Sequence, residues 1–169
     1  MPAEFTTVLG RLLADPALRA ELRGDPDALA RRLDADPEAL RALDAGELER
    51  QADTLVDKRF HEVEKLLPAT IAGLGDAAAR VFGEHAARSW PEGHRRHAED
   101  AAAFGAFLEG RHLPRCRAEL NRLRFAMGRK RFSFRFVPDA RIGGRARRAL
   151  QILYRRRGEV RSLALYLGF

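Results

Sequence analysis

The chain has 169 residues, a hydrophobic fraction of 46% and a formal net charge of +7, a composition that fits one globular domain or a helical domain with a small appendage. Because Cys116 is the only cysteine, an intramolecular disulfide scaffold is excluded. The sequence shows no apolar run long enough to cross a bilayer and no signal-peptide pattern at its start, so we expect a cytoplasmic protein with no membrane partner.

The charge is divided unequally along the chain. Residues 1–110 contain 14 Lys and Arg against 21 Asp and Glu, a net charge of −7, whereas residues 111–169 contain 17 against 3, a net charge of +14. We expect the basic region to attract an anionic partner, namely a nucleic acid, an acidic peptide or an acidic protein face.

Capping patterns predict helices over the first three quarters of the chain. Three Asp-Pro pairs each place an N-cap side chain before a proline at the first helical position, which predicts short helices: Asp15-Pro16, Asp25-Pro26 and Asp36-Pro37. A longer amphipathic helix is predicted from Asp44, with a kink or an interruption at Pro68. Later helices are predicted from Asp76 to near Trp90, from Pro91 to about Glu109, and from near Pro114 to Met127.

The hydrophobic period changes from helical to alternating after Gly128. Residues 131–136 alternate arginine or serine with phenylalanine, which predicts a half-buried strand. Phe132, Phe134 and Phe136 share one face, and we interpret them as core residues that pack on the helices. Stacking of these rings on single-stranded bases is the alternative interpretation.

Two further strands are predicted around a turn. Residues 150–154 and 160–167 flank the turn residues 156–159 and predict a hairpin, although 145–155 also fits a helical period. The predicted fold is α+β, with a multi-helix body over 1–127 followed by a basic β-rich region over 128–169 containing about three antiparallel strands. An exposed edge of such a sheet is a template for an added strand.

The sequence contains no recognisable catalytic set. His94 and His97 are three residues apart, but no further ligands have the spacing of a zinc site. Cys116 lies on the apolar stripe of its helix, which favours packing over nucleophilic chemistry. Trp90 fits either the core or an anchor in a protein–protein contact. We therefore expect a protein that is not an enzyme and that has no catalytic residue, metal or cofactor.

A set of helical segments and anchor residues spread over roughly residues 10–110 resembles a known family. The residues are Leu55-Val56-Asp57-Lys58-Arg59, Leu66-Leu67-Pro68-Ala69-Thr70, Gly75, Phe82, Trp90-Pro91-Glu92-Gly93-His94, Phe104 and Phe107-Leu108. The pattern resembles the small helical proteins that accompany multinuclear non-heme iron oxidases in bacterial gene clusters for modified ribosomal peptides. Some of those proteins are fused to the oxidase, and some are labelled as DNA-binding domains.

The resemblance implies a non-catalytic partner subunit that binds the leader segment of a precursor peptide and presents it to the iron oxidase. An acidic leader is expected to add a strand to an exposed sheet edge, with arginines providing electrostatic steering. The acidic helical body would then dock on the oxidase. A nucleic-acid-binding regulator that uses the basic region is the alternative function.

Two groups of residues are the candidate binding sites. The candidate peptide-binding residues are the basic and polar side chains of the predicted sheet: Arg131, Ser133, Arg135, Tyr154, Arg155, Arg157 and Arg161. The candidate contacts with the partner enzyme are Trp90, His94 and His97.

Overall fold

The fold is α+β, as the sequence predicts. A computed structural model describes residues 4–93, 95–142 and 145–166, with the side chains of 139–147, 164 and 166 left undescribed. Helices occupy the N-terminal part, and a three-stranded antiparallel sheet follows them. Within the described residues, no helix combines the length and the apolar character needed to cross a bilayer.

The elements follow one another with short connections. The helices are α1 (Phe5–Ala14), α2 (Pro16–Gly24), α3 (Pro26–Leu33), α4 (Pro37–Arg41), α5 (Ala45–Leu66), α6 (Pro68–Leu74), a 3₁₀ turn (Gly75–Ala77), α7 (Ala78–Ala86), α8 (Arg96–Gly110) and α9 (Arg117–Met127). The strands are β1 (Phe132–Ile142), β2 (Arg145–Arg156) and β3 (Glu159–Tyr166).

The chain forms two compact units. The first comprises residues 1–59 and 83–90, and the second comprises residues 60–82 and 91–169. The predicted boundary after residue 127 marks the change from helices to strands, whereas the compact units divide within α5, within α7 and again between Trp90 and Pro91.

The first unit is organised by the Asp-Pro pairs. The carboxylates of Asp15, Asp25 and Asp36 accept backbone N–H groups two or three residues ahead, at 2.8, 2.9 and 2.9 Å, which confirms the predicted N-caps. The short helices enclose a leucine-rich core formed by Val8, Leu12, Leu18, Leu22, Leu29, Ala30, Leu33, Leu40 and Leu48. Local capping and a shared apolar core therefore explain four short helices in sequence.

The connection between α7 and α8 differs from the prediction. The helix expected to reach Trp90 ends at Ala86, and the helix expected to start at Pro91 begins at Arg96. Gly93 has a φ angle of +80°, a left-handed conformation that interrupts an α-helix. The helical period of the sequence does not reveal this turn, because glycine also occurs inside helices.

Aromatic residues form the helical core of the second unit. The rings of Phe60 and Phe82 lie 5.5 Å apart, and those of Phe82 and Phe104 lie 5.3 Å apart in an edge-to-face arrangement. Phe82 and Phe104 are fully buried. Pro68 separates α5 from α6, as predicted from the loss of its backbone N–H.

The sheet has the strand order β1-β2-β3, and both pairs are antiparallel. Arg157 and Gly158 form the β2–β3 turn with φ angles of 51° and 85°, the positive values of a type I′ turn. This arrangement confirms the predicted hairpin and shows that 145–155 is strand and not helix. A bulge lies in β1 between Val137 and Ala140.

The prediction that the three phenylalanines pack in the core is wrong. Phe132, Phe134 and Phe136 are 50%, 58% and 58% exposed, whereas the opposite face buries Val137, Ala149 and Leu153. Ala118 of α9 packs against Val137 and Ala149. Alternation predicts that a strand has two faces, but the smaller side chains are the ones that let α9 approach the sheet closely.

Candidate functional site

The covered face of the sheet is attached to α9 by a buried amide. Gln151 of β2 is 3% exposed, and its Nε2 donates to the Ala118 carbonyl at 2.9 Å. Its Oε1 accepts a hydrogen bond from Asn121 Nδ2 at 3.2 Å. Since a buried amide without partners is costly, these bonds fix the position of β2 on the helix.

Arg155 makes the second attachment of the sheet to α9. Its Nη2 donates to the carbonyls of Phe125, Ala126 and Gly128 at 3.1, 3.3 and 2.9 Å. These carbonyls lie at the C-terminal end of α9, where a helix leaves acceptors unsatisfied. Arg155, a predicted peptide contact, thus holds the sheet on the helix. Ser133, another predicted contact, is half-buried and shares the covered face with Val137.

The opposite face of the sheet is apolar and open. The strand register places its side chains in three rows: Phe132, Tyr154 and Arg161; Phe134, Ile152 and Leu163; Phe136, Leu150 and Leu165. Leu163 and Leu165 are 52% and 45% exposed, and the residues of β2 are half-buried between their neighbours. An open face with this many large apolar side chains is typical of an interaction surface.

A basic depression lies at the hairpin end of the open face. It has a volume of about 320 Å³ and brings together three of the predicted peptide contacts; its lining is Tyr154, Arg156, Arg157, Glu159 and Arg161. Glu159 is the only carboxylate among the described residues of this lining, and it pairs with Arg161 Nη2 at 2.7 Å. Arg156 and Arg157 have no ion pair among the described residues and can attract an anionic group.

The backbone of β3 has one edge that faces no other strand in the described part of the sheet. The Arg155 N–H donates to the Arg131 carbonyl at 3.0 Å, so odd-numbered residues of β2 bond to β1 and even-numbered ones bond to β3. The register then directs the N–H and C=O groups of residues 161, 163 and 165 toward β2 and those of residues 160, 162, 164 and 166 outward.

The outer edge of β1 is less suited to accept a strand. Pro138 lies within β1 and has no N–H group, and the bulge between Val137 and Ala140 disturbs the register beside it. Prolines and bulges are the usual features that protect edges from strand addition. The exposed side chains of Arg131 and Arg135, both predicted peptide contacts, belong to this side of the sheet.

A groove of about 720 Å³ lies beside the start of β3. Residues from the end of α5, the start of α6, α9 and β3 line it: Lys65, Leu66, Pro68, Glu119, Arg122, Leu123, Ala126, Glu159, Val160 and Arg161. The lining combines apolar surface with three cationic side chains, a composition that suits a peptide with both apolar and acidic residues.

The charges in the groove are not fully compensated. Both oxygens of Glu119 accept hydrogen bonds from the N-terminal turn of α6, with Ala69 N at 2.6 Å and Thr70 N at 2.8 Å. Lys65 pairs with Glu62 at 2.7 Å. Arg122 has no ion pair among the described residues. Arg122 and Lys65 were not predicted, because only the tertiary structure brings α5 and α9 beside β3.

Trp90, a predicted partner contact, is 37% exposed and lies in the first unit. The Arg59 guanidinium lies 4.9 Å from the centroid of its ring, and Arg59 Nη2 donates to the Ser89 carbonyl at 2.8 Å. This cation–π contact orients the indole while leaving part of it open. The structure thus places Trp90 partly at the surface of its unit.

Of the two histidines predicted as partner contacts, only His97 is described, and it belongs to the other unit. His94 lies outside the described residues. His97 is half-buried and lines a shallow depression of about 500 Å³ with Glu62 and Lys65. A hydrogen bond from Lys65 lowers the pKa of the Glu62 carboxyl, so Glu62 stays ionised to a lower pH than an ordinary glutamate. Among the described residues, no three His, Cys, Asp or Glu side chains lie close enough to hold a metal ion.

Cys116, which the sequence places in packing, is buried at the N-cap of α9. Its backbone N–H donates to Thr70 Oγ1 at 3.0 Å.

No family model, characterised protein or solved structure matches this chain.

Proposed function

We propose that this chain is a non-catalytic partner subunit that binds an acidic precursor peptide as an added strand on β3 and presents it to a multinuclear non-heme iron oxidase. The observation that carries the proposal is the outer edge of β3, which pairs with no strand in the described part of the chain and lies beside a groove with apolar and cationic lining. Affinity would come from the backbone hydrogen bonds of the added strand, and register would come from the groove.

The charge of the C-terminal region supports an acidic ligand. With 17 Lys and Arg against 3 Asp and Glu after residue 110, this region produces a positive potential over the sheet. Two of those three acids, Glu119 and Glu159, already have partners within the protein. An acidic peptide would therefore meet little repulsion and would associate faster at low salt.

The oxidase partner is supported by the resemblance over residues 10–110 and by the negative charge of that part of the chain. The exposed indole of Trp90 fits a protein–protein contact. If the proposal holds, the full chain used as bait in a nuclease-treated lysate of its host retains an iron-containing oxidase. If the bait retains nucleic acid from an untreated lysate and retains no oxidase, the proposal is contradicted.

A proline substitution on the outer edge of β3 tests the strand-addition step. The N–H of Ser162 points outward, so Ser162→Pro removes a donor that the free protein does not use within the sheet. The probe is a fluorescein-labelled peptide of about ten residues with alternating valine and glutamate, since about eight to ten extended residues span a strand of this length. We expect Ser162→Pro to weaken binding at least about tenfold, measured by fluorescence anisotropy.

The matched control is Ser162→Ala, which removes the hydroxyl and retains the N–H group. We expect it to bind the peptide nearly as the unchanged protein does, and thermal unfolding of both variants shows whether the sheet is intact. Equal affinity of a folded Ser162→Pro variant and the Ser162→Ala variant would exclude β3 as the peptide-binding edge.

Nucleic-acid binding is the second candidate function, because the three phenylalanines of β1 are exposed next to an arginine-rich strand. Aromatic side chains on a sheet can stack on single-stranded bases. A labelled oligothymidylate discriminates the two functions. Tight binding whose affinity falls steeply with salt and that is lost in Phe134→Ser would favour the nucleic-acid function.

A further inference from the structure

The open apolar face is a second candidate binding surface, distinct from the outer edge of β3. It consists of the outward side chains of all three strands: Phe132, Phe134, Phe136, Leu150, Ile152, Tyr154, Leu163 and Leu165. Five of these are among the large hydrophobic residues with more than a third of their surface exposed. An added strand on β3 would extend the sheet sideways and would leave this face uncovered.

We infer that the open face docks an amphipathic helix of a partner protein, with the apolar side of the helix on the sheet and acidic residues over the arginines at the ends of the face. The inference does not rest on the leader-peptide proposal, because it concerns side chains of the open face and not the edge backbone.

The dimensions of the face fit one helix. Three strands about 4.8 Å apart span about 10 Å, close to the diameter of an α-helix with its side chains. Along the strands, Phe132 and Phe136 are four residues apart, which corresponds to about 13 Å or roughly nine helical residues. A helix of two to three turns therefore covers all three rows.

The arginines at the ends of the face define the charge of the occupant. On the open face, Arg148 is exposed and lies beyond Leu150 at one end of β2. Arg156 lies beyond Tyr154 at the other end. The basic depression at the hairpin end adds Arg157 and Arg161. A helix with carboxylates beyond its apolar stripe would place them over these guanidinium groups, where charge-assisted hydrogen bonds are strong.

A second copy of this chain is a poorer occupant. If two open faces met, arginines would lie at both ends of each face, so like charges would oppose one another in either orientation of the strands. Such juxtaposition of like charges disfavours association. The charge pattern therefore favours a partner of opposite charge.

Single-stranded nucleic acid is also a poorer occupant of this face. Most side chains that β2 and β3 place on the open face are aliphatic, namely Leu150, Ile152, Leu163 and Leu165. Aliphatic side chains offer no ring on which a base can stack. The rings of Phe132 and Phe134 pack edge to face with centroids 4.5 Å apart, so one ring presents its edge to the other.

A designed helical peptide tests the inference on the full chain. The probe has about 16 residues, leucines at helical spacing on one side, and glutamates at both ends. The control peptide has the same composition with the leucines distributed around the helix. We expect the probe to bind and to gain helicity, measured by fluorescence anisotropy and circular dichroism, and the control peptide to bind at least about tenfold more weakly.

Two variants of the protein locate the binding surface. Phe134→Ser removes an exposed ring from the centre of the face, and Arg156→Glu reverses charge at its hairpin end; each is expected to weaken probe binding at least about tenfold. Phe5→Ser, which alters another exposed phenylalanine, on α1, should leave the affinity unchanged. Thermal unfolding confirms that the variants are folded.

Three outcomes would overturn the inference. The first is absence of probe binding, or binding that Phe134→Ser does not weaken. The second is a dimer in sedimentation equilibrium that Phe134→Ser dissociates, which would assign the face to a second copy. The third is an oligothymidylate that binds in competition with the probe and more tightly, which would assign the face to nucleic acid. If Ser162→Pro loses binding of the valine–glutamate peptide but binds the helical probe unchanged, the edge of β3 and the open face are two distinct binding sites.

Discussion

Arg155 shows how one side chain can join two elements of the second unit. Its guanidinium binds the last carbonyls of α9 and lies 5.6 Å from the ring of Phe125. Hydrogen bonds from a charged donor contribute more to stability than neutral ones, so Arg155→Ala is expected to lower the free energy of unfolding by about 2–3 kcal/mol. Urea unfolding measures this change.

Arg156→Ala is the matched control for Arg155→Ala, since Arg156 is the next residue of β2 and is exposed. We expect it to change the free energy of unfolding by less than about 0.5 kcal/mol. Equal effects of the two substitutions would show that the bonds from Arg155 to α9 do not stabilise the folded chain.

Gly105 is required where α8 meets α9. A Cβ atom at this position would clash with the Leu120 side chain, and Leu120 is itself buried. We expect Gly105→Ala to lower the free energy of unfolding by about 1–3 kcal/mol through overpacking. In α1, where nothing lies within 4 Å of the corresponding position, Gly10→Ala should instead raise it by about 0.5–1 kcal/mol. Stabilisation of the chain by Gly105→Ala would contradict the close packing of α8 and α9.

At the scale of elements, α6 depends on a carboxylate from another helix. Glu119 of α9 accepts the N–H groups of Ala69 and Thr70 and the hydroxyl of Thr70, the last at 2.9 Å. Because Leu67 provides no side-chain cap, Glu119→Ala is expected to lower the free energy of unfolding by about 1–3 kcal/mol. Glu109→Ala removes an ion pair with Arg115 in which the glutamate is 55% exposed, and it should cost less than about 1 kcal/mol. A smaller effect at Glu119 than at Glu109, measured by urea unfolding, would exclude this capping role.

The elements also show what the sequence can predict. N-caps at Asp15, Asp25 and Asp36 were predictable because capping depends on residues two or three apart. The hairpin turn at Arg157-Gly158 was predictable for the same reason. The burial of Val137 in place of Phe134 was not, because both faces of β1 and β2 carry apolar residues and the sequence does not say which one meets α9.

For the candidate site too, the sequence predicts local features but not contacts between distant residues. Arginines of the sheet were identifiable from composition, and the depression at the hairpin end brings Arg157 and Arg161 together. The engagement of Arg155 with α9 and the contribution of Lys65 and Arg122 to the groove depend on contacts between residues far apart in sequence. No local pattern reports such contacts.

For the whole molecule, acid should weaken the folded state through buried or partly buried ion pairs. The hydrogen bond from Arg19 is the main cause of the lowered pKa of Glu49, and Arg19 also donates to the carbonyls of Leu12 and Leu13. Because the folded pKa of this carboxyl lies below the unfolded one, its contribution to stability is present above the unfolded pKa and is lost as pH falls through the folded pKa.

We therefore expect the free energy of unfolding to decrease from about pH 5 to about pH 3, where glutamate titrates. Glu49→Gln should flatten this dependence, and the exposed Glu92→Gln should not. Urea unfolding followed by circular dichroism at several pH values measures the difference. An unchanged slope in Glu49→Gln would show that another group controls acid stability.

Amide hydrogen exchange on the full chain, with and without the valine–glutamate peptide, is the most direct test of strand addition to β3. We expect the peptide to slow exchange at the outward N–H groups of residues 160, 162, 164 and 166 and to leave those of residues 132, 134 and 136 on the outer edge of β1 unchanged. Protection confined to the β1 edge, or no protection at either edge with the peptide bound, would contradict it.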